Sequence, residues 1–160
     1  MAALRAAGIS YEVVPGVTSA FAAAADFELP LTLRGVSSSL VFTTGHDLKG
    51  EALPDWARLA IEGATVAVYM GRSTAADVAQ RLADAGLSPD TAVAVVENAS
   101  LPSRRMFHGT LADLPSLQDR ADLTGPVMTI IGDAVAGANL DRSQPLAAAR
   151  ILTVTEGSLS

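Results

Sequence analysis

The strongest candidate for chemistry in this chain is the run Val13-Val14-Pro15-Gly16-Val17-Thr18-Ser19-Ala20. A buried strand predicted over 11–14 stops at the Pro-Gly turn and leads into an alanine-rich helix predicted over 17–27. The first turn of a helix leaves backbone N–H groups without intrahelical partners. Gly16 permits close backbone approach, and Thr18 and Ser19 set short hydroxyls beside those amides. Such a joint can hold a polar ligand, and it is equally the ordinary connection of an α/β protein.

Other reactive residue types are sparse. His46 and Asp47, in Gly45-His46-Asp47, are adjacent on a predicted loop with no third ligand at useful spacing, so a turn role outweighs a metal site. His108, in Phe107-His108-Gly109-Thr110, reads as a strand-end residue. Glu97 and Asn98 close an apolar strand, where such residues mark either a functional loop or a simple cap. No Gly-x-Ser-x-Gly elbow and no Gly-x-Gly-x-x-Gly fingerprint occurs. No catalytic acid, base or nucleophile is assigned, and no metal ligand.

The elements that must position these residues alternate. Inner strands are predicted over 40–44 and 65–70, with further strands over 92–97, 105–108 and 127–131. A helix is predicted over 55–62, with Trp56, Leu59 and Ala60 on one face. Another spans 74–85, with Val78 and Leu82 four apart and Gly86 as its stop. Residues 1–8 read as the end of a helix stopped by Gly8, 47–54 as a loop, and 111–118 as a helix interrupted by Pro115. Strands alternating with helices imply an α/β architecture: a five-stranded mixed sheet flanked by helices. Beyond 136 the pattern fades into a weakly ordered tail, with a short helix possible over 146–152.

A length of 160 residues suits one domain with a real core, and no apolar run nears the ~20 residues of a membrane span. Without cysteine there is neither a disulfide framework nor a thiolate metal site, and no export signal is read at the N-terminus. A cytoplasmic protein with no membrane partner is the simple expectation. A net charge of −6 and a pI near 4.7 argue against a nucleic-acid partner, which requires a concentrated basic surface.

Five motifs follow the Pro-Gly-Val-Thr-Ser joint in register: Thr43-Thr44-Gly45-His46-Asp47; Val66-Ala67-Val68-Tyr69-Met70-Gly71; Val93-Ala94-Val95-Val96-Glu97-Asn98; Arg104-Arg105-Met106-Phe107-His108-Gly109-Thr110-Leu111; and Val127-Met128-Thr129-Ile130-Ile131-Gly132. In this order the chain resembles, over about 4–135, the carboxy-terminal half of the uroporphyrinogen-III C-methyltransferases, a branch of the S-adenosylmethionine-dependent tetrapyrrole methylases. The resemblance implies methylation of uroporphyrinogen III to precorrin-2, on the way to sirohaem and cobalamin. It also implies S-adenosylhomocysteine as product, a homodimer and no metal. It implies cofactor contacts from Thr18, Ser19, Met70 and Ala99, with alanine standing where relatives often carry glycine. Arg34 and Tyr69 become candidates for the tetrapyrrole substrate. Leu33 departs from a Leu-Thr-His-Arg pattern, so that imidazole is missing here. Arg34, Lys49, Arg72, Arg104 and Arg105 are the basic side chains that could meet an octacarboxylate.

The resemblance divides the chain into 1–16, the end of an amino-terminal methylase domain; 17–136, the carboxy-terminal domain; and 137–160, the tail. The family's glycine-rich first loop, its proposed acidic base and its Gly-Gly-Asp-type loop have no counterpart in these residues. A truncated half with little activity by itself is therefore expected. The alternatives are a methyltransferase acting on a later precorrin, or a non-catalytic dimerisation module on the same scaffold.

Overall fold

The structure, a computed structural model, describes residues 1–45 and 55–147. The elements in chain order are α1 (Ala2–Ala6), α2 (Ser19–Asp26), β1 (Leu40–Thr44), α3 (Asp55–Ile61), β2 (Thr65–Tyr69), α4 (Ala75–Asp84), β3 (Ala92–Glu97) and β4 (Arg105–Thr110). A 3₁₀ segment (Leu111–Asp119), β5 (Val127–Ile131), a second 3₁₀ segment (Asp133–Gly137) and β6 (Gln144–Pro145) follow. One sheet runs β1-β2-β5-β3-β4-β6. The β1–β2 and β4–β6 pairs are parallel, while β2–β5, β5–β3 and β3–β4 are antiparallel. The mixed sheet is as expected; it has six strands rather than five.

Period-two alternation sorts the strand residues into two cores. Val66, Val68, Val93, Val95, Phe107 and Ile131 face α3, α4 and the first 3₁₀ segment. Ala67, Ala94, Val96, Met106, Met128 and Ile130 face α2 and the second 3₁₀ segment. On that second face Ala20, Ala23 and Ala24 are buried, and their small side chains let α2 lie close on the sheet. The sheet thus separates a large core from a smaller one.

Four expectations are corrected. Residues 11–14 form no strand: no described strand lies beside them to accept their backbone hydrogen bonds, and Val13 and Val14 are exposed. The strand at 40–44 is an edge strand, not an inner one, and its Phe42 is 48% exposed. In α3 the buried positions are Ala57 and Ala60, with Trp56 packed at the core margin and Leu59 exposed, because the helix is rotated from the face read in the sequence. Residues 137–147, expected in a weakly ordered tail, are part of the fold, and 148–160 lie outside the described residues. Gln144 and Pro145 pair with Phe107 and His108, His108 Nδ1 lies 2.7 Å from Ser143 Oγ, and Leu146 is buried without being helical. His46, Asp47, Lys49 and the predicted 47–54 loop lie outside the described residues.

Candidate functional site

The carboxyl ends of β2 and β3 and the amino end of β5 meet at one edge of the sheet, because Tyr69 pairs with Met128 and Glu97 with Val127. β2 and β3 break there into loops through uncommon backbone conformations. Met70, Asn98 and Ser100 have φ of +50°, +56° and +63°. Left-handed conformations cost side-chain-bearing residues free energy and cluster where the surrounding structure enforces them, often at ligand sites.

A cleft of about 250 Å³ opens at this edge, with Ser19, Tyr69, Met70, Asn98, Ala99 and Val127 among its lining residues and Val96 and Met128 as apolar floor. A neighbouring depression of about 400 Å³ shares Met70 and Val127 and extends toward Arg72, Ser73, Gln118 and Gly125. Met70, 59% exposed, stands between the two.

Two anchors hold the cleft. On one side the Thr18 hydroxyl caps α2, accepting from the Ala20 amide at 3.4 Å, and hydrogen-bonds the Tyr69 hydroxyl. Next to that clasp the Phe21 and Phe42 rings meet edge to face at 6.1 Å, and Phe42 lies 6.4 Å from Tyr69. On the other side Glu97, only 2% exposed, accepts three charge-assisted hydrogen bonds. Its Oε1 takes the Thr124 and Gly125 amides, each at 2.6 Å, and its Oε2 takes Arg105 Nε at 2.6 Å.

The Arg105 side of that anchor is itself fixed. Its Nη1 reaches Asp122 Oδ2 at 2.8 Å, and Arg120 Nε reaches Asp122 Oδ1 at 2.8 Å. Arg120 also stacks 4.4 Å from the Phe107 centroid. Arg72 donates to the carbonyls of Leu123 and, at 2.7 Å, Arg120. The hydrogen bond from Arg105, helped by the two backbone amides, outweighs burial and holds the Glu97 carboxyl below its ordinary range. Asp122 is lowered too, first by its hydrogen bonds from Arg120.

The structure therefore brings Ser19, Met70 and Ala99 into one cleft, with Thr18 joined to it through Tyr69. Tyr69 lines the cleft too, but its hydroxyl is engaged by Thr18. Arg34 is not brought there. It is exposed on the turn closed by the Leu33–Ser37 bridge, and Ser37 Oγ accepts from the Thr65 amide at 3.0 Å, at the opposite end of β2. Arg72 and Arg105 are spent on carbonyls and carboxylates, and Arg104 pairs with Asp26 at 3.2 Å. What sequence reasoning missed is the part played by Glu97. Its carboxylate at a strand end was visible, but its loop partners lie 27 and 28 residues away.

The model of the tetrapyrrole (corrin/porphyrin) methylases matches residues 1–115, and the chain belongs to that family. A siroheme synthase from Chromobacterium violaceum is 43% identical over 135 residues, which make up 84% of this chain and 29% of that protein. The chain thus spans well under half the length of that curated relative. Among solved structures, a cobalt precorrin-4 methyltransferase superposes with a TM-score of 0.72 at 30% identity, covering 84% of this chain and 56% of that one. Uroporphyrin-III C-methyl transferase from Thermus thermophilus, complexed with S-adenosyl homocysteine, superposes with a TM-score of 0.65 at 32% identity. That match covers 83% of this chain and 57% of that one.

Proposed function

We propose that this chain forms one wall of the cofactor cleft of an S-adenosylmethionine-dependent tetrapyrrole methylase acting on uroporphyrinogen III to give precorrin-2. The observation that carries the reading is the convergence of Ser19, Met70 and Ala99 on a single cleft, with Thr18 clasped beside it. The lining fits a nucleoside. It has an apolar floor of Val96 and Met128, no charged side chain among the described residues, and strand-end backbone at Met70 and Asn98 held at positive φ. Backbone groups at strand ends can recognise the polar edge of a purine without dedicated side chains. Ala99 lines the cleft with its single methyl, so alanine in place of glycine leaves the opening intact.

When bound, S-adenosylmethionine supplies a methyl group on a positively charged sulfur, which an electron-rich pyrrole carbon can take without a metal. This chain's residues contribute binding and orientation, which can account for much of the acceleration of a reaction between two bound partners. In this reading Thr18 and Tyr69 fix the start of α2, and Met70 and Ala99 meet the nucleoside. Arg34, away from the cleft, retains at most an outlying role toward a polycarboxylate substrate. Residues 1–16 correspond to the end of an amino-terminal domain and 17–136 to the carboxy-terminal one. A second wall is needed for turnover, so the 160 residues alone methylate little, and a homodimer in the cytoplasm is the expected setting.

Isothermal titration of the chain with S-adenosylhomocysteine tests the cleft. Saturable binding abolished by Ala99→Trp is expected; no binding up to millimolar ligand, with the protein folded, defeats the reading. A later precorrin as substrate is the second reading, favoured by the superposition on the cobalt precorrin-4 enzyme. Turnover assays of a two-domain relative carrying these 160 residues, with each substrate in turn, separate the two.

A further inference from the structure

We propose that Glu97 is a positioning residue of the cleft, whose carboxylate sets the 120–126 loop against the end of β3 and so fixes the width of the ligand site. The proposal rests on the cofactor reading above for its ligand, but its geometric content is independent of it.

Three observations converge. Glu97 is not among the residues lining the cleft, yet it sits between two lining segments, 98–99 and 125–127, and holds the second through the Gly125 amide. Its Oε1 gathers two consecutive amides, Thr124 and Gly125, immediately before Pro126 and Val127, which line the opening. The backbone closes the same loop from the other direction, as the Asn98 amide donates to the Pro126 carbonyl at 3.0 Å. Glu97 and Asn98 together therefore tie one strand end to one loop by three hydrogen bonds within four residues of the cleft.

The close approach that results is visible at Gly125. A Cβ there would lie 2.1 Å from Asn98 Oδ1, so the loop sits against the Asn98 amide with no room for a side chain. Asn98 in turn holds its positive φ while its Nδ2 reaches Ser103 Oγ at 3.3 Å. If the loop moved outward, Asn98 would lose both its backbone partner and the contact that keeps it in the left-handed region. The cleft floor between Ala99 and Val127 would then widen.

The charge on Glu97 is needed for this, not merely its shape. A carboxylate accepts from Arg105 Nε and from two amides at once. The groups facing it are Arg105 from β4 and the loop amides, with Asp122 and Arg120 behind Arg105. Glutamine keeps the length but presents an NH₂ where either Arg105 Nε–H or the amide pair already donates. One set of donors must then face another donor, and the loop is released from one side.

The test compares Glu97→Gln with wild type and with Val78→Ala, a control that weakens the core under α4, which also holds Leu123, without touching the cleft lining or the Glu97 hydrogen bonds. Hydrogen exchange of the full chain is expected to show the Thr124, Gly125 and Asn98 amides exchanging at least tenfold faster in E97Q, with the Val95 amide unchanged. Val78→Ala should leave the ratio of loop to strand exchange as in wild type. Titration with S-adenosylhomocysteine is expected to weaken at least tenfold in E97Q and stay within twofold in V78A. Loop exchange in E97Q equal to wild type overturns the positioning role, whether or not any ligand binds. Faster loop exchange with unaltered binding confines Glu97 to stability and overturns it as well. Failure of wild type to bind, with the exchange difference intact, overturns the cofactor reading and leaves the placement of the loop supported.

Discussion

The two sides of the cleft are built from different physics. The side carrying Thr18 and Tyr69 is a neutral hydroxyl clasp at the end of a segment that joins no strand, bordered by Val13, Val14 and Val17 at 64%, 78% and 82% exposure. The side carrying Glu97 is a buried carboxylate holding two amides and a guanidinium, backed by Leu123 in the core. A hydrogen bond between hydroxyls is worth about 1 kcal/mol net, whereas removing one partner from a buried, charged network leaves desolvated groups behind at a larger cost. One rim is therefore placed firmly and the other lightly. A ligand site with one fixed wall and one compliant wall can close on its ligand from the compliant side.

The largest break in that asymmetry comes from Glu97→Ala. It strands Arg105 Nε and the Thr124 and Gly125 amides, and should cost about 3 kcal/mol, read from urea denaturation. The same residue gives the firm wall a pH signature. Because its folded pKa lies below the unfolded value, its contribution is complete above the usual carboxylate range and declines as pH falls through the folded pKa. Acid denaturation followed by circular dichroism should show a stability slope below pH 5 that is shallower in E97Q. A slope identical to wild type would remove Glu97 from the acid response.

Gly45→Ala tests the strand ends beneath the compliant wall. Its Cβ would lie 2.9 Å from the backbone Cα of Gly71 and 2.2 Å from Thr74 Oγ1. The ends of β1 and β2 must then part, at about 2 kcal/mol by thermal melting. Thr18→Ala removes both the helix cap and the Tyr69 partner, for about 1 kcal/mol, with faster amide exchange confined to the start of α2. The smallest effect belongs to Val14→Lys. This exposed site should change stability by under about 0.5 kcal/mol, and a larger loss would mean that the valine is covered in solution.

Much of the firm half was legible in the chain itself. Val93, Val95, Val127 and Ile131 sit in largely apolar, β-branched runs that read as buried strands, and β3 and β5 take the bounds expected for them. The α4 boundaries follow from Val78, Leu82 and the Gly86 stop, which has φ of +103°. The sixth strand escaped because two residues, Gln144 and Pro145, carry no periodicity. Residues 11–14 show the converse failure. Their valines have strand propensity, but propensity without a neighbouring strand yields no sheet.

By itself the sequence determined what is local or periodic: the five strands from 40 to 131, the helices between them, and the motifs that place the chain among the tetrapyrrole methylases. Only the tertiary structure decided that Ser19, Met70 and Ala99 share one cleft, that Arg34 lies away from it, and that Glu97 anchors a loop 27 residues further on. The reason is that strand pairing order is a non-local choice. The chain order of β2, β3 and β5 does not reveal that β5 inserts between the other two, and it is this insertion that brings their ends together.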